Sequence, residues 1–227
     1  MGADDATDGD RRRMVEQQLR GRGIHDERVL GVMGSIPRER FIGEGRERRR
    51  AYADEAVPID AGQTISQPWV VARMTELLAP QLGERILELG TGSRYQAAVL
   101  AALGADVTSL ERHAVLASKA RDRIDRLELP GTVTIRTTDG SLGDPAGGPW
   151  DGIIVTAAAP AVPEPLRGQL AIGARLVIPV GGRWDQHLLV IERRGPAEWT
   201  ESSGGAVVFV PLVGEQGYAE PEGRGRA

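Results

Sequence analysis

The chain has 227 residues, 41% of them hydrophobic and 26% charged, close to the globular mean, which argues against wholesale disorder, a fibrous repeat or a membrane bundle. Its 27 Arg and one Lys are outweighed by 32 acidic residues for a net charge of −4, so no global basic excess draws it to nucleic acid. With no cysteine, it can form no disulfide, thiolate zinc site, cysteine nucleophile or cysteine-ligated iron–sulfur cluster.

The opening run "MGADDATDGDRRRMVEQQL" lacks the apolar region of a secretory signal, and no apolar stretch approaches the roughly 18 residues of a transmembrane helix. Cytoplasmic residence, away from membranes, is expected. Residues 1–9 read as a disordered tail. Met14, Val15 and Leu19 then share a helix face, and Val29, Val32, Met33 and Ile36 follow helical spacing before Pro37 stops the run. A loop from Arg38 to Ile65 leads into a helix with Val70, Val71, Met74, Leu77 and Leu78 on one side, Ser66 or Gln67 at its N-cap and Pro68 in its first turn.

From Arg85 onward the pattern changes. "RILEL", a helix over 94–103, "DVTSLE", a helix over 113–128, "TVTIRTT", "DGIIVTAA", a short turn near 163–170 and "RLVIPV" alternate as right-handed βαβ units do. "HLLVIERR" and "GAVVFVPLV" follow without room for a helix and are expected to pair antiparallel at the sheet's end. The fold class is therefore α/β: a doubly wound, mostly parallel sheet with an N-terminal helical cap and a C-terminal antiparallel hairpin. Residues 10–82 form the cap and substrate loop, 83–214 the sheet, and 215–227 a flexible tail without chemistry.

Open α/β sheets bind ligands at the carboxyl ends of their strands, and three such ends here carry suitable residues. Gly90, Thr91, Gly92 and Ser93 form a strand-to-helix turn that lets backbone approach a ligand. Tyr95 stands where a dinucleotide fingerprint needs glycine, which disfavours a nicotinamide cofactor. Glu111 ends the next strand, 19 residues past Gly92, where a carboxylate can accept from both hydroxyls of a ribose. Asp139 and Gly140 follow the third strand, placed for an adenine amino group. A nucleoside without a phosphate grip points to S-adenosyl-L-methionine. "TAAAPAVP" at the fourth strand end leaves room for a substrate or for close packing. His25, His113 and His187 share no metal spacing, so no metal is expected, and Trp150, Trp184 and Trp199 are too scattered to stack bases.

Nine motifs, in order "MVEQQLRGRGI", "IPRERFI", "AYADEAVPI", "GQTISQP", "LELGTGSRYQAAVLA", "TDG", "IIVTAAAP", "LVIPVGG" and "FVPLVG", resemble the protein-L-isoaspartate (D-aspartate) O-methyltransferases from about Met14 to Gly214. The resemblance implies a Rossmann-like, S-adenosyl-L-methionine-dependent methyltransferase that esterifies the α-carboxylate of isoaspartyl residues in damaged peptides and proteins. The ester would collapse to a succinimide that reopens as aspartate, so the enzyme is one of protein repair; a monomer is expected, although the sequence itself does not reveal the oligomeric state. It carries the family's active-site serine onto Ser66, with Gln63, Thr64 and Ile65 beside it, Trp69 where the family has Tyr or His, and Pro211 and Leu212 near the substrate. Arg94 replaces the family's third glycine. It is expected either to turn outward toward the substrate's carboxylate or to sit as a surface residue. Two alternatives are a methyltransferase dedicated to one partner peptide and a relative that binds nucleoside or peptide without turnover.

Overall fold

The computed structural model describes residues 3–43, 45, 47–59, 62–114, 116 and 127–220. Helix α1 (Ala3–Arg13) runs directly into a wider turn, Met14–Leu19, that buries Met14, Val15 and Leu19. Helix formation from Ala3 departs from the disordered tail expected of residues 1–9. Basic Arg11, Arg12 and Arg13 fill the last turn, and Arg11–Asp8 and Arg13–Asp10 pair three residues apart, both of which favour a helix.

Helix α2 (Glu27–Ser35) starts at Asp26, whose side chain accepts from Arg28 N at 2.9 Å, and ends before Pro37. The 38–65 segment carries two short turns and a two-stranded ribbon, β1 (Val57–Pro58) and β2 (Thr64–Ile65), paired antiparallel. Helix α3 (Pro68–Leu78) buries Val71, Met74 and Leu78. Gln67 is its N-cap residue and makes no side-chain cap. Phe41, Tyr52, Ile65, Val71 and Tyr95 join residues of α2 in one core that ties this N-terminal part to the sheet.

Seven strands follow: β3 (Arg85–Leu89), β4 (Asp106–Glu111), β5 (Val133–Thr137), β6 (Trp150–Val155), β7 (Leu170–Gly181), β8 (Gln186–Gly195) and β9 (Glu198–Val207). Their order is β5-β4-β3-β6-β7-β8-β9, parallel from β5 through β7 and antiparallel beyond. Alternation along the strands feeds both faces. Ile86, Val107 and Ile154 pack against α3 and helix α4 (Tyr95–Ala102), while Leu87, Leu89 and Ile153 pack with Leu166 of α5 (Glu164–Gly168). The chain runs outward from β3 to β5 and then returns to β6, so the order reverses beside β3 and opens a crevice at its carboxyl end. The helix expected over 113–128 falls largely outside the described residues.

The last strand differs from the sequence reading. β9 is the polar run Glu198–Val207, which buries only Gly204 and Val207, so apolar periodicity does not reveal it. The apolar run after it leaves the sheet edge and crosses the strand ends. Ala158 N donates to Val210 O at 2.8 Å and Leu212 N to Ala158 O at 2.7 Å. Residues 215–220, expected to be a flexible tail, are fastened there. Glu215 N donates to Asp139 Oδ2 at 2.9 Å, Gln216 N to Ser141 Oγ at 3.0 Å and Tyr218 Oη to Gly181 O at 2.5 Å. Among the described residues no helix is long and apolar enough to cross a membrane.

Candidate active site

The crevice beside β3 holds a cavity of about 330 Å³. Its floor is the turn from β3 to α4. Gly90 takes φ 93° there, and a Cβ on it would lie 2.6 Å from Thr156 Oγ1, which itself donates to Gly90 O at 2.5 Å. Only glycine meets both conditions. Gly90 N donates to Leu110 O at 2.9 Å and Arg94 N to Thr91 O at 2.7 Å, so the turn is locked between β4 and its own helix.

Glu111, at the end of β4, is buried and lines the cavity. Gly92 N donates to its Oε2 at 2.9 Å and His113 N to its Oε1 at 2.9 Å. Each carboxylate oxygen keeps a lone pair for another donor. Beneath the turn, Thr91 Oγ1 and Ser109 Oγ lie 2.6 Å apart, and Ser109 Oγ donates to Glu88 Oε2. Glu88 is fully buried and its Oε1 lacks a partner. Burial pushes its carboxyl up to about 8, against the opposing pull of the Ser109 hydrogen bond.

Gly140 reaches the cavity wall, but Asp139 does not. The Asp139 carboxylate is taken up by Ser141 N on Oδ1 and Glu215 N on Oδ2, both at 2.9 Å. Burial opposes its ionisation, yet these backbone donors prevail and hold its carboxyl below the ordinary value. Asp139 therefore fastens the C-terminal segment beside the cavity.

The opposite wall comes from the 62–66 loop and α3: Gln63, Thr64, Ile65 and Ser66, with Val71 and Met74 behind. Among the described residues nothing hydrogen-bonds the Ser66 hydroxyl, which is not spent on capping α3. A second cavity, of about 420 Å³, also includes Thr64 and Ser66 and extends past Trp69 to Trp184 and Val208. Trp69 opens there instead of on the first cavity. Its Nε1 donates to Arg22 O at 3.2 Å and the Arg22 guanidinium lies 4.8 Å from its ring centroid. Pro211 and Leu212 line the first cavity, delivered by the crossing segment.

Arg94 corrects both sequence expectations for it. It takes φ 74°, is only 2% exposed, and its Nη2 donates inward to Leu116 O. Neither an outward reach to substrate nor a surface location fits. The left-handed conformation, which favours glycine, is here adopted by a residue with a long side chain. The sequence reading gave no place in the site to Tyr95, Gln96, Arg112 or His113, which line the cavity wall. Their positions directly after a strand end or a glycine turn are the only signal that could have found them. Among the described residues no cluster of acidic or histidine side chains could hold a metal.

A sequence profile of the protein-L-isoaspartate(D-aspartate) O-methyltransferases matches residues 10–217. The chain belongs to that family. Similar relatives include the protein-L-isoaspartate O-methyltransferases of Magnetococcus marinus, 50% identical over 88% of this chain and 87% of the relative, and of Methanoregula boonei, 48% identical over 92% and 95%. Among solved structures, a protein-L-isoaspartate O-methyltransferase superimposes with a TM-score of 0.79 at 27% identity, over 91% of this chain and 67% of the other. A candidate protein-L-isoaspartate O-methyltransferase from Plasmodium falciparum, solved with S-adenosyl-L-homocysteine, superimposes with a TM-score of 0.75 at 26% identity, over 89% and 98%. The family's S-adenosyl-L-methionine-dependent methyltransferase fold is thus the fold of this chain.

Proposed function

We propose that two cavities meeting at Ser66 divide the family's reaction between them: the one on the glycine turn takes S-adenosyl-L-methionine, and the one beside Trp69 takes the isoaspartyl peptide. The activity is that of a protein-L-isoaspartate O-methyltransferase, an enzyme of protein repair. The observation that carries the division of labour is that Ser66 borders both spaces with an uncommitted hydroxyl, opposite the Glu111 carboxylate.

The first cavity suits the cofactor. Gly90, Thr91 and Gly92 bring backbone against it, Glu111 offers one free lone pair on each oxygen for a pair of ribose hydroxyls, and Ser93 adds a hydroxyl. Gly140 on the cavity wall would let the adenine approach backbone, the Asp139 carboxylate being taken up by Ser141 N and Glu215 N. Bound there, S-adenosyl-L-methionine supplies a methyl group on a sulfonium, which an attacking oxygen accepts as the carbon–sulfur bond breaks and its electron pair returns to sulfur.

The protein's own task is then alignment. A free α-carboxylate has a reference pKa of about 3.3–3.7 and is already ionised near neutrality, so no base is needed. Ser66 donates its hydroxyl hydrogen to one carboxylate oxygen and leaves the other to react. Thr64 and Trp69 bound the peptide's path in the second cavity, while Gln63, Ile65, Pro211 and Leu212, on the wall of the first, close the space between the two reactants, with Val71 and Met74 behind. Every group in this scheme comes from one chain, so a monomer suffices.

A short isoaspartyl peptide and its aspartyl twin test the reading with labelled cofactor. Label is expected in the isoaspartyl peptide alone. A hydrogen bond to a charged acceptor contributes about 1.5–3 kcal/mol, so Ser66→Ala is expected to lower kcat/KM by about 10- to 100-fold at unchanged S-adenosyl-L-homocysteine affinity. Full activity in Ser66→Ala, or equal labelling of both peptides, would sink the assignment.

A further inference from the structure

Arg38, at the start of the turn Arg38–Phe41, is fully buried. Its Nε donates to Ala51 O at 2.7 Å and its Nη2 to Ser66 O at 2.7 Å, while Nη1 is buried with no hydrogen-bond partner. The guanidinium lies 4.9 Å from the ring centroid of Tyr95, which lines the same cavity as Ser66. Among the described residues no carboxylate pairs with it. The adjacent acid, Glu39, instead accepts from Tyr52 Oη at 2.5 Å. Burial pulls the guanidinium down to about 10, with only the phenols of Tyr95 and Tyr52 opposing, so it remains a cation at neutral pH.

A buried charge without a counter-ion is costly, and a neutral donor could reach the same carbonyls more cheaply. Tethering Ala51 and Ser66 therefore accounts for the hydrogen bonds but not for the charge. The residue it tethers, Ser66, carries the hydroxyl that borders both cavities. A positive charge held in the low-dielectric interior acts beyond hydrogen-bond contact.

We propose that Arg38 is a positioning and specificity residue for the substrate carboxylate: it holds the Ser66 backbone in place from behind, and its unpaired positive charge favours an anionic group over a neutral one at the Ser66 hydroxyl. This rests on the reading of Ser66 as the residue that receives the carboxylate. Arg38 itself touches no substrate in this scheme.

The test uses two peptides that differ only at that group, an isoaspartyl peptide and its α-carboxamide twin, titrated calorimetrically into the full-length protein with S-adenosyl-L-homocysteine present. The wild type is expected to bind the acid at least about tenfold more tightly than the amide. Arg38→Gln keeps a donor and removes the charge. It is expected to cut that preference by about fivefold or more, leaving S-adenosyl-L-homocysteine affinity unchanged. Equal weakening of both peptides would mean a purely structural role and overturn the proposal. Should Arg38→Gln fail to fold, Arg38→Lys decides: retained preference with a raised peptide KM at constant cofactor KM supports the proposal, and wild-type constants or a collapsed preference overturn it. A wild type indifferent to the two peptides would sink the Ser66 reading and this one together, whereas a preference that survives Arg38→Gln sinks this one alone.

Discussion

Glu88 makes the stability of this enzyme depend on pH in a direction opposite to that of an ion-paired carboxylate. Its carboxyl is fully buried under the glycine turn, accepts from Ser109, and is pushed up from 4.5 to about 8, chiefly by burial and further by the nearby Glu111 charge, with Ser109 and Arg94 pulling the other way. Between those two values the unfolded chain is ionised at this position while the folded chain still holds the proton. The unfolded state then binds one proton fewer, and stability falls by about 1.4 kcal/mol per pH unit. The contribution is fully present below the unfolded value and is lost as pH rises through the folded one. Glu88→Gln removes the titration while keeping a group of the same shape that can accept from Ser109. Urea melts of both proteins near pH 5.5 and near pH 7.5 isolate the effect, because all other groups cancel in the difference. Across that interval the variant is expected to gain about 3 kcal/mol relative to wild type, which is roughly a 1 M shift in urea midpoint. A difference between the two proteins that stays constant with pH would refute the reasoning, since Glu88 would then be ionised in the native state.

Two further substitutions probe the turn. Gly90→Ala forces a Cβ onto a backbone at φ 93° and against Thr156 Oγ1, and it is expected to cost about 1–3 kcal/mol in denaturant melts. It should also weaken S-adenosyl-L-homocysteine binding in calorimetry, and wild-type values in both assays would show that the turn is not so confined. Arg94→Gly restores the residue type that the left-handed conformation prefers and removes a side chain directed at Leu116. The peptide KM is expected to stay within about twofold of wild type, and a clear rise would mean that the guanidinium faces the substrate after all.

The sheet and the glycine turn were legible because both have local causes. Strands buried on two faces read as apolar runs, and Gly90, Gly92 and Glu111 stand at fixed offsets from them. β9 escaped for the opposite reason, since an edge strand with one face on solvent is polar almost throughout. Asp139 was correctly located after β5, but whether a carboxylate faces a ligand or its own backbone is decided by which donors come near. Here Glu215, 76 residues away, supplies one of them. The direction of Arg94 is likewise tertiary: a helix start disfavours a cation, yet a carbonyl at Leu116 draws it inward. Ser66 could be proposed only through family resemblance, because a serine ahead of Pro68 is equally well read as a cap. The unspent hydroxyl and the Arg38 tether behind it exist only once the chain has folded.

The segment that crosses the strand ends gives the site a dependence on synthesis order. Val210, Pro211, Leu212 and Val213 complete the cavity after all seven strands of the large sheet have been made, and residues 215–218 anchor them. A nascent chain still lacking its final stretch could assemble most of the sheet yet would have an open-sided pocket. The cavity therefore closes only after β9 is in place, and a chain trimmed after β9 is expected to stay folded while binding S-adenosyl-L-homocysteine more weakly.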